Sequence, residues 1–411
     1  MPDDRELPEG DSPIFAERKL GQSPVPAPQL VSYIAPAAPA TRRPAEGDEP
    51  PLRPEIGFTP AWYRQQLDID FGEPFHTNPQ YRREAVLAMR GLLRSRFPGT
   101  RIGRADLPDE PLDLLTGLFG ACSVAAIYGV PIVYAADNWP NCEHRYISDE
   151  EVDRLEPPDL ERNPHFQAIM DQVDRIAASE GPVTGYVNWQ GVLNNAQRLR
   201  GQQLFLDLLD APERAGHLFD CVCRTMIDAA SRLHARQRET GFDVRFFTVS
   251  NCLVNMVSPR QYEELLLPLD QRIAETFGCL GIHNCAWSAT PYLDAYARVP
   301  HVAYLDMGLD SDLARARELF PDARRALMYT PMDLTNKPMA EIEADLRRIA
   351  SEYGPCDLVI ADIDAGVPDE RIRAVIDRCK RRDDYLCPAD RIRLTRPQGA
   401  RELREPKKGQ P

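Results

Sequence analysis

The sharpest chemistry in the sequence is His283-x-Cys285, within Gly281-Ile282-His283-Asn284-Cys285. An imidazole nitrogen and a thiolate sulfur are donors suited to a borderline-soft ion such as zinc. On a strand, side chains alternate between faces, so positions i and i+2 aim at one spot. The pair makes half a metal site, although a packed histidine beside a core cysteine gives the same string. Further donors stand where other apolar runs end: Asp306, then Asp362 and Asp364. Asp306 reads equally as a loop-capping carboxylate, and of the late pair one aspartate is expected to cap and one to serve the site. Cys356 is rejected as a ligand. It precedes its apolar run, and six or seven residues of strand put it ~20 Å from the far end.

Other polar groups share those ends. Ser250-Asn251-Cys252 and Tyr329-Thr330 each close a run. Asn251 and Tyr329 are the candidates for orienting a substrate, Tyr329 being either a general acid or a packed phenol. Asn188, Cys252 and His76 are the candidate substrate contacts. His76, in DFGEPFHTNP, lies in an entry segment that could close over a site or form an ordinary loop. Cys221 and Cys223 fall on a helix, where positions i and i+2 do not face each other. His217 and His234 on the same helix read as surface or packing residues. The sequence contains no GxSxG, HExxH or P-loop, so serine hydrolase, zincin and nucleotide-kinase readings lose their support.

These groups need a scaffold that gathers strand ends. From residue 180 onward, short apolar runs alternate with amphipathic helices. The runs are 183–189, 245–251, 280–285, 302–306, 326–330 and 358–364. The helices are expected at 212–241, 259–277, 289–297, 311–319, 339–353 and 369–381, several opened by a proline after a capping residue (Pro212, Pro259, Pro291). Earlier, helices are expected at 79–97 and 110–128, and a strand at Ile132–Tyr134. Runs apolar at nearly every position suit strands buried on both faces, as in a parallel sheet. Six strand-then-helix units with one or two before them predict an α/β fold, a (β/α)8 TIM-type barrel. In such barrels chemistry sits at the C-terminal ends of the strands. A doubly wound open sheet is the alternative, weakened by the lack of a glycine-rich phosphate loop.

The chain has 411 residues, which suits one large barrel. Twelve of its 38 prolines fall in the first 54 residues, mixed with Ala, Glu and Arg. Residues 1–54 therefore read as a disordered arm, 55–385 as the barrel and 386–411 as a flexible tail. A net charge of -14 makes nucleic acid a poor partner. No apolar run is long enough for a membrane span. The acidic start MPDDRELPEGD is not a secretory signal. The ten cysteines include no CxxC pair. Reduced thiols in a cytoplasmic protein are expected.

Four segments carry a resemblance: GPVTGYVNWQGVLNNAQRLRGQQLFLDLLDAPE, MVSPRQYEELLLPLDQRIAETF, GIHNCA and DLVIADIDAGVPDERIRAVI. Together they resemble the uroporphyrinogen decarboxylase superfamily over about Leu155–Cys379. That superfamily comprises decarboxylases and zinc-dependent methyltransferases that work with corrinoid proteins, and the resemblance implies an eight-stranded α/β barrel. The decarboxylase branch carries an RQAGR-like motif and an early aspartate. RQAGR is absent here, and the corresponding segment Leu118–Ser123 holds no aspartate. The methyltransferase branch carries HxC and a late cysteine as zinc ligands. His283 and Cys285 match the first two, while the late position falls near Asp362 or Asp364. The resemblance thus implies a metal, Zn²⁺ or with such donors iron or manganese, at His283, Cys285 and a late aspartate, with Asp306 as fourth ligand or support. It implies a corrinoid (cobalamin) on a partner protein, a small methyl donor or acceptor, and a monomer or homodimer. Two other readings stay open: a metal-free carboxy-lyase, and a non-catalytic barrel that binds a tetrapyrrole or a partner.

Overall fold

A computed structural model describes residues 50–98, 100, 112–244 and 247–380. The expected tail and all but the end of the expected arm lie outside these residues. The described chain forms β1 (Leu52–Phe58), β2 (Ile132–Ala135), β3 (Asn138–Cys142), β4 (Phe247–Ser250), β5 (Leu280–His283), β6 (Val302–Gly308), β7 (Arg324–Met328) and β8 (Cys356–Ile363). Six of these build one parallel sheet in the order β1-β8-β7-β6-β5-β4, and β2 and β3 pair as an antiparallel hairpin. The apolar runs expected from 245 onward are these strands, with Arg245 and Phe246 outside the described residues. Helices pack between them at Pro212–Glu239, Leu267–Phe277, Leu313–Leu319, Met339–Glu352 and Asp369–Cys379. The architecture is the TIM-type α/β barrel, with its backbone ladder continuous over six strands.

Beyond β4 the wall continues by other means. Residues 183–189, expected as a strand, are buried and lie alongside β4 without a backbone ladder. The Tyr186 hydroxyl donates to the Thr248 carbonyl at 2.7 Å and accepts from the Thr248 N–H at 3.1 Å. Asn188 Oδ1 accepts from Ser250 Oγ at 3.3 Å. Gly185, at φ 107°, breaks the extended run, and a Cβ there would lie 2.2 Å from Asp113 Oδ1. The segment is thus bent and pressed against 112–116, where Thr184 and Tyr186 bond to Leu112 and Thr116.

Two other expectations change. The helix predicted over 110–128 is reduced, within the described residues, to Ser123–Ile127. Gly117, Phe119 and Gly120 all have positive φ, which ends any helix before it. The folded part also begins earlier than Glu55. Strand β1 starts at Leu52, inside the segment predicted as arm, and pairs with β8 from Leu52↔Cys356 onward. Pro51 and Pro54 hide this strand from a pattern reading, yet proline is tolerated in a strand that ends a ladder.

At the strand starts the interior is charged. Arg53 Nε donates to Asp357 Oδ1 at 2.7 Å, and Arg324 reaches the same carboxylate at 2.8 and 3.0 Å. All three side chains are buried. The C-terminal strand ends form the opposite face, and there the β2–β3 hairpin reaches the rim. Trp139 Nε1 donates to Asp362 Oδ1 at 3.4 Å, at the end of β8.

Candidate metal centre at the strand ends

Parallel pairing sets Ser250 of β4 level with His283 of β5. The residue two positions beyond each is a cysteine, Cys252 and Cys285. Cys252 Sγ, His283 Nε2 and Cys285 Sγ converge, and one ligand atom from each residue lies within 4.8 Å of the others. The Cys285 thiol donates to Cys252 Sγ at 2.6 Å, and Cys285 Sγ is 3.2 Å from His283 Nε2. The cluster is partly open: the His283 side chain retains 17% of its exposure.

The geometry is not that of a continuing strand. β5 ends at His283, and Cys285 takes φ 56°, the left-handed region that non-glycine residues rarely adopt. That turn swings the thiol back to the imidazole. Gly308 makes the turn feasible. A Cβ there would lie 1.9 Å from the Ala286 carbonyl oxygen, and the Gly308 N–H donates to Trp287 O at 3.0 Å. Gly191 does the same beside β4, where a Cβ would meet Ser250 O at 2.6 Å and Asn251 Oδ1 at 2.7 Å.

Asp306 supports the imidazole from behind. Its Oδ2 lies 2.6 Å from His283 Nδ1 and accepts from the Tyr304 hydroxyl at 2.9 Å, while Oδ1 accepts from the Asn284 N–H at 2.7 Å. Both oxygens are engaged and the side chain is fully buried. The expectation of Asp306 as ligand or support therefore resolves geometrically to support. A carboxylate on Nδ1 fixes the tautomer that leaves Nε2 free to coordinate and makes it more basic. Burial opposes charge on His283, but Asp306 and the two sulfurs outweigh it and hold the imidazole pKa well above its usual value. The hydrogen bond from Cys285 pulls the Cys252 thiol well down and pushes the Cys285 thiol up.

Asp306→Asn tests the support. One amide cannot accept from both Asn284 N–H and His283 while also keeping an acceptor for Tyr304. Zinc affinity, read by competition with a chromophoric chelator, is expected to fall about 10- to 100-fold. An unchanged affinity would show that the imidazole needs no carboxylate.

The remaining candidates separate. Asp362 and Asp364 do not join the cluster; they close β8, and β7 and β6 stand between β8 and β5. Asp362, at φ 57°, is solvent-exposed, yet desolvation by the surrounding protein raises its carboxyl pKa. Its carboxylate accepts from the Trp139 indole at the rim. Asp364 Oδ1 accepts from the Ala365 N–H at 2.7 Å and from Thr59 Oγ1 at 3.4 Å, a capping role. Asn188 lies at the mouth beside Ser250, its Oδ1 already accepting from the Gln190 N–H at 3.0 Å. Tyr329 points outward, its hydroxyl donating to Asp345 at 2.8 Å beside Lys337. It packs in an ion-pair cluster rather than facing the sulfurs. His76 is buried, its Nδ1 accepting from the Phe119 N–H at 3.0 Å, and burial lowers its pKa to about 3. It remains neutral and does not cover the cluster.

Asn251 also works from behind. Its N–H donates to His283 O at 2.7 Å, tying the two strand ends, and its Nδ2 donates to Asp270 Oδ2 at 3.1 Å. The Tyr262 hydroxyl donates to the same oxygen at 2.7 Å. Burial raises the Asp270 pKa from 3.8 to about 6. A raised carboxyl pKa favours the neutral form in the fold. Its contribution is thus fully present below pH ~4 and is lost as pH rises to ~6, a loss on the order of 2–3 kcal/mol. Asp270→Asn keeps an acceptor and cannot ionise. Its stability relative to the wild type should climb between pH 4 and 6 and stay level above, measured by urea unfolding. A difference independent of pH would refute the buried-carboxyl account.

Comparison with known proteins agrees with this architecture. Residues 109–381 match the sequence model of the family described as Uroporphyrinogen decarboxylase (URO-D), and the chain belongs to that family. Among solved structures it is similar to a methyltransferase from Methanosarcina mazei. The TM-score is 0.54 at 16% identity, covering 82% of this chain and 94% of the other. That likeness is one of fold. No curated protein sequence matches the chain.

Proposed function

We propose that this protein is a metal-dependent methyltransferase. In this reading it moves a methyl group between a corrinoid carried by a partner protein and a thiol or similar acceptor, with zinc at Cys252, His283 and Cys285. The observation that carries the reading is the convergence of two sulfurs and one carboxylate-supported imidazole at the barrel mouth. This nitrogen-and-sulfur set suits zinc, and three protein ligands leave a fourth position for substrate.

Bound zinc would lower the pKa of a coordinated substrate thiol, leaving a nucleophilic thiolate at neutral pH. The chain's own residues do the rest. Asp306 holds the Nδ1 proton of His283 and so presents Nε2. Asn251 and Gly308 hold the two cysteine-bearing turns in place. The strand ends at the barrel mouth would fix the line of attack. The described strand ends Ser250–Cys252, His283–Ala286 and Ala361–Asp364 carry no arginine, which disfavours a substrate bearing many carboxylates. Among the described residues no helix is long and apolar enough to cross a membrane. A cytoplasmic location with reduced thiols belongs to the same reading.

The test combines elemental analysis with a spectral assay of methyl-cobalt cleavage against a panel of thiols. About one zinc per chain and chelator-sensitive cleavage are expected. Negligible metal with chelator-insensitive loss of carbon dioxide from a carboxylic acid would favour the carboxy-lyase instead.

A further inference from the structure

The two sulfurs at the strand ends are placed to react with each other as well as with an ion. Ser250 and His283 are level across the β4–β5 ladder, and each cysteine follows two residues later. Neighbouring strands run ~4.8 Å apart, inside the Cα separation of about 4.4–6.8 Å that a disulfide spans. The Cys285 thiol already meets Cys252 Sγ at 2.6 Å. An S–S bond of ~2.05 Å asks the pair to close by roughly half an ångström. Both cysteines are free and partly exposed. Of the other described cysteines, Cys279 alone is partly exposed, just before β5, and the remaining six are buried.

We propose that Cys252 and Cys285 are a modification site, a dithiol that hydrogen peroxide oxidises to a disulfide in the metal-free protein. Oxidation takes away two of the three donors and closes the centre to metal until a dithiol reduces it. That consequence rests on the zinc reading above, whereas the disulfide itself does not. The Cys252 sulfur, which accepts the hydrogen bond from Cys285, attacks one oxygen of the peroxide as the thiolate. The O–O bond breaks, and the departing hydroxide becomes water with the proton that Cys252 released to solvent. Cys252 is left as the sulfenic acid. The Cys285 sulfur then attacks the Cys252 sulfur. The S–S bond forms, the S–O bond breaks, and the Cys285 proton leaves with the hydroxyl as a second water. Two thiols and one peroxide thus give one disulfide and two waters. A small dithiol reverses the change by exchange and leaves as its own disulfide.

The two turns that carry the thiols are held by the backbone itself. The Asn251 N–H donates to His283 O at 2.7 Å, tying one strand end to the other. Gly191 and Gly308 admit neighbouring backbone so closely that a Cβ would lie 2.6 Å from Ser250 O and 1.9 Å from Ala286 O, respectively. A sulfenic acid formed at Cys252 is therefore met by a thiol already in place. Such positioning gives the second sulfur a high effective concentration, so the disulfide forms ahead of further oxidation by peroxide.

The test strips the full-length protein of metal with a chelator and a reductant, desalts it, and adds equimolar hydrogen peroxide. Remaining thiols are alkylated and peptides mapped by mass spectrometry, with circular dichroism to follow the fold. A Cys252–Cys285 cross-linked peptide is expected, with Cys279 still alkylated. In Cys285→Ser, Cys252 should stop at the sulfenic acid and be trapped by dimedone. A small dithiol should restore both thiols. Zinc added first, at ten times its dissociation constant, should slow the cross-link roughly tenfold, in proportion to the fraction of protein left metal-free. Folded metal-free protein in which Cys252 and Cys285 stay alkylatable, or join other cysteines, overturns the proposal. That result leaves the metal reading standing if the reduced protein still takes up zinc. A cross-link that forms in protein unable to take up zinc supports the disulfide and sinks the metal reading instead.

Discussion

Cys285→Ser is expected to reduce bound zinc from about one per chain to nearly none while the barrel stays folded. Serine keeps the size but replaces a soft, easily ionised donor with a hydroxyl that stays protonated at neutral pH. The metal then retains one sulfur and one nitrogen, too few for a zinc site. The fold should survive because Cys285 lies in a turn beyond β5 and is only partly buried, outside the hydrophobic core. Cys252→Ser should behave alike. Cys279→Ser, at the start of β5 and so at the opposite end of the barrel, should leave the metal unchanged. Elemental analysis and far-ultraviolet circular dichroism read the two halves of this expectation. One result would redirect it: if Cys252→Ser keeps its metal and Cys285→Ser loses it, the third ligand is a carboxylate from β8. Asp362→Asn then becomes the decisive variant, since Asp364 is occupied in capping.

The contrast between Cys252 and the late aspartates shows what the sequence could carry. Apolar runs and helix starts place nearly every strand after residue 240, because buried parallel strands and amphipathic helices differ in period. His283 and Cys285 emerge from the same pattern, although the reason differs in the structure. Alternation along a strand was expected to bring them together, whereas a left-handed turn does so. Cys252 was expected as a substrate contact. Its place beside Cys285 depends on the β4–β5 register, which no local pattern reveals. The signal was present nonetheless: Ser-Asn-Cys and His-Asn-Cys end neighbouring strands, and neighbouring parallel strands end at similar levels. The β8 carboxylates stand where the resemblance implies a late cysteine. Sheet order puts β8 across the mouth and β4 next to β5, so proximity favours the sulfur. The extended segment 183–189 and strand β1 were obscured for a different reason. Glycine and proline disrupt their patterns, and their pairing relies on long-range partners.

The opposite end of the barrel should govern stability rather than chemistry, and Asp357→Asn is the test. Asp357 is fully buried and accepts from both Arg53 and Arg324. Its three strands, β1, β8 and β7, are neighbours, so the carboxylate links them where the barrel begins. The substitution preserves volume, which excludes a cavity as the cause of any loss. It removes the negative charge shared by two guanidinium groups held inside the protein. Removing one partner of a buried ion pair costs about 3–5 kcal/mol, mostly because the remaining charge is left poorly compensated. Arg324→Met should cost less, since Asp357 retains Arg53 and the methionine stem refills apolar space. Urea unfolding should show the midpoint falling for Asp357→Asn with little change in slope. Zinc content of the folded protein should not change, because the ligands lie at the other ends of the strands. Equal stability of Asp357→Asn and wild type would mean that packing alone holds these strands. A joint loss of stability and metal would mean that the two ends of the barrel are coupled, contrary to the separation of roles expected of this fold.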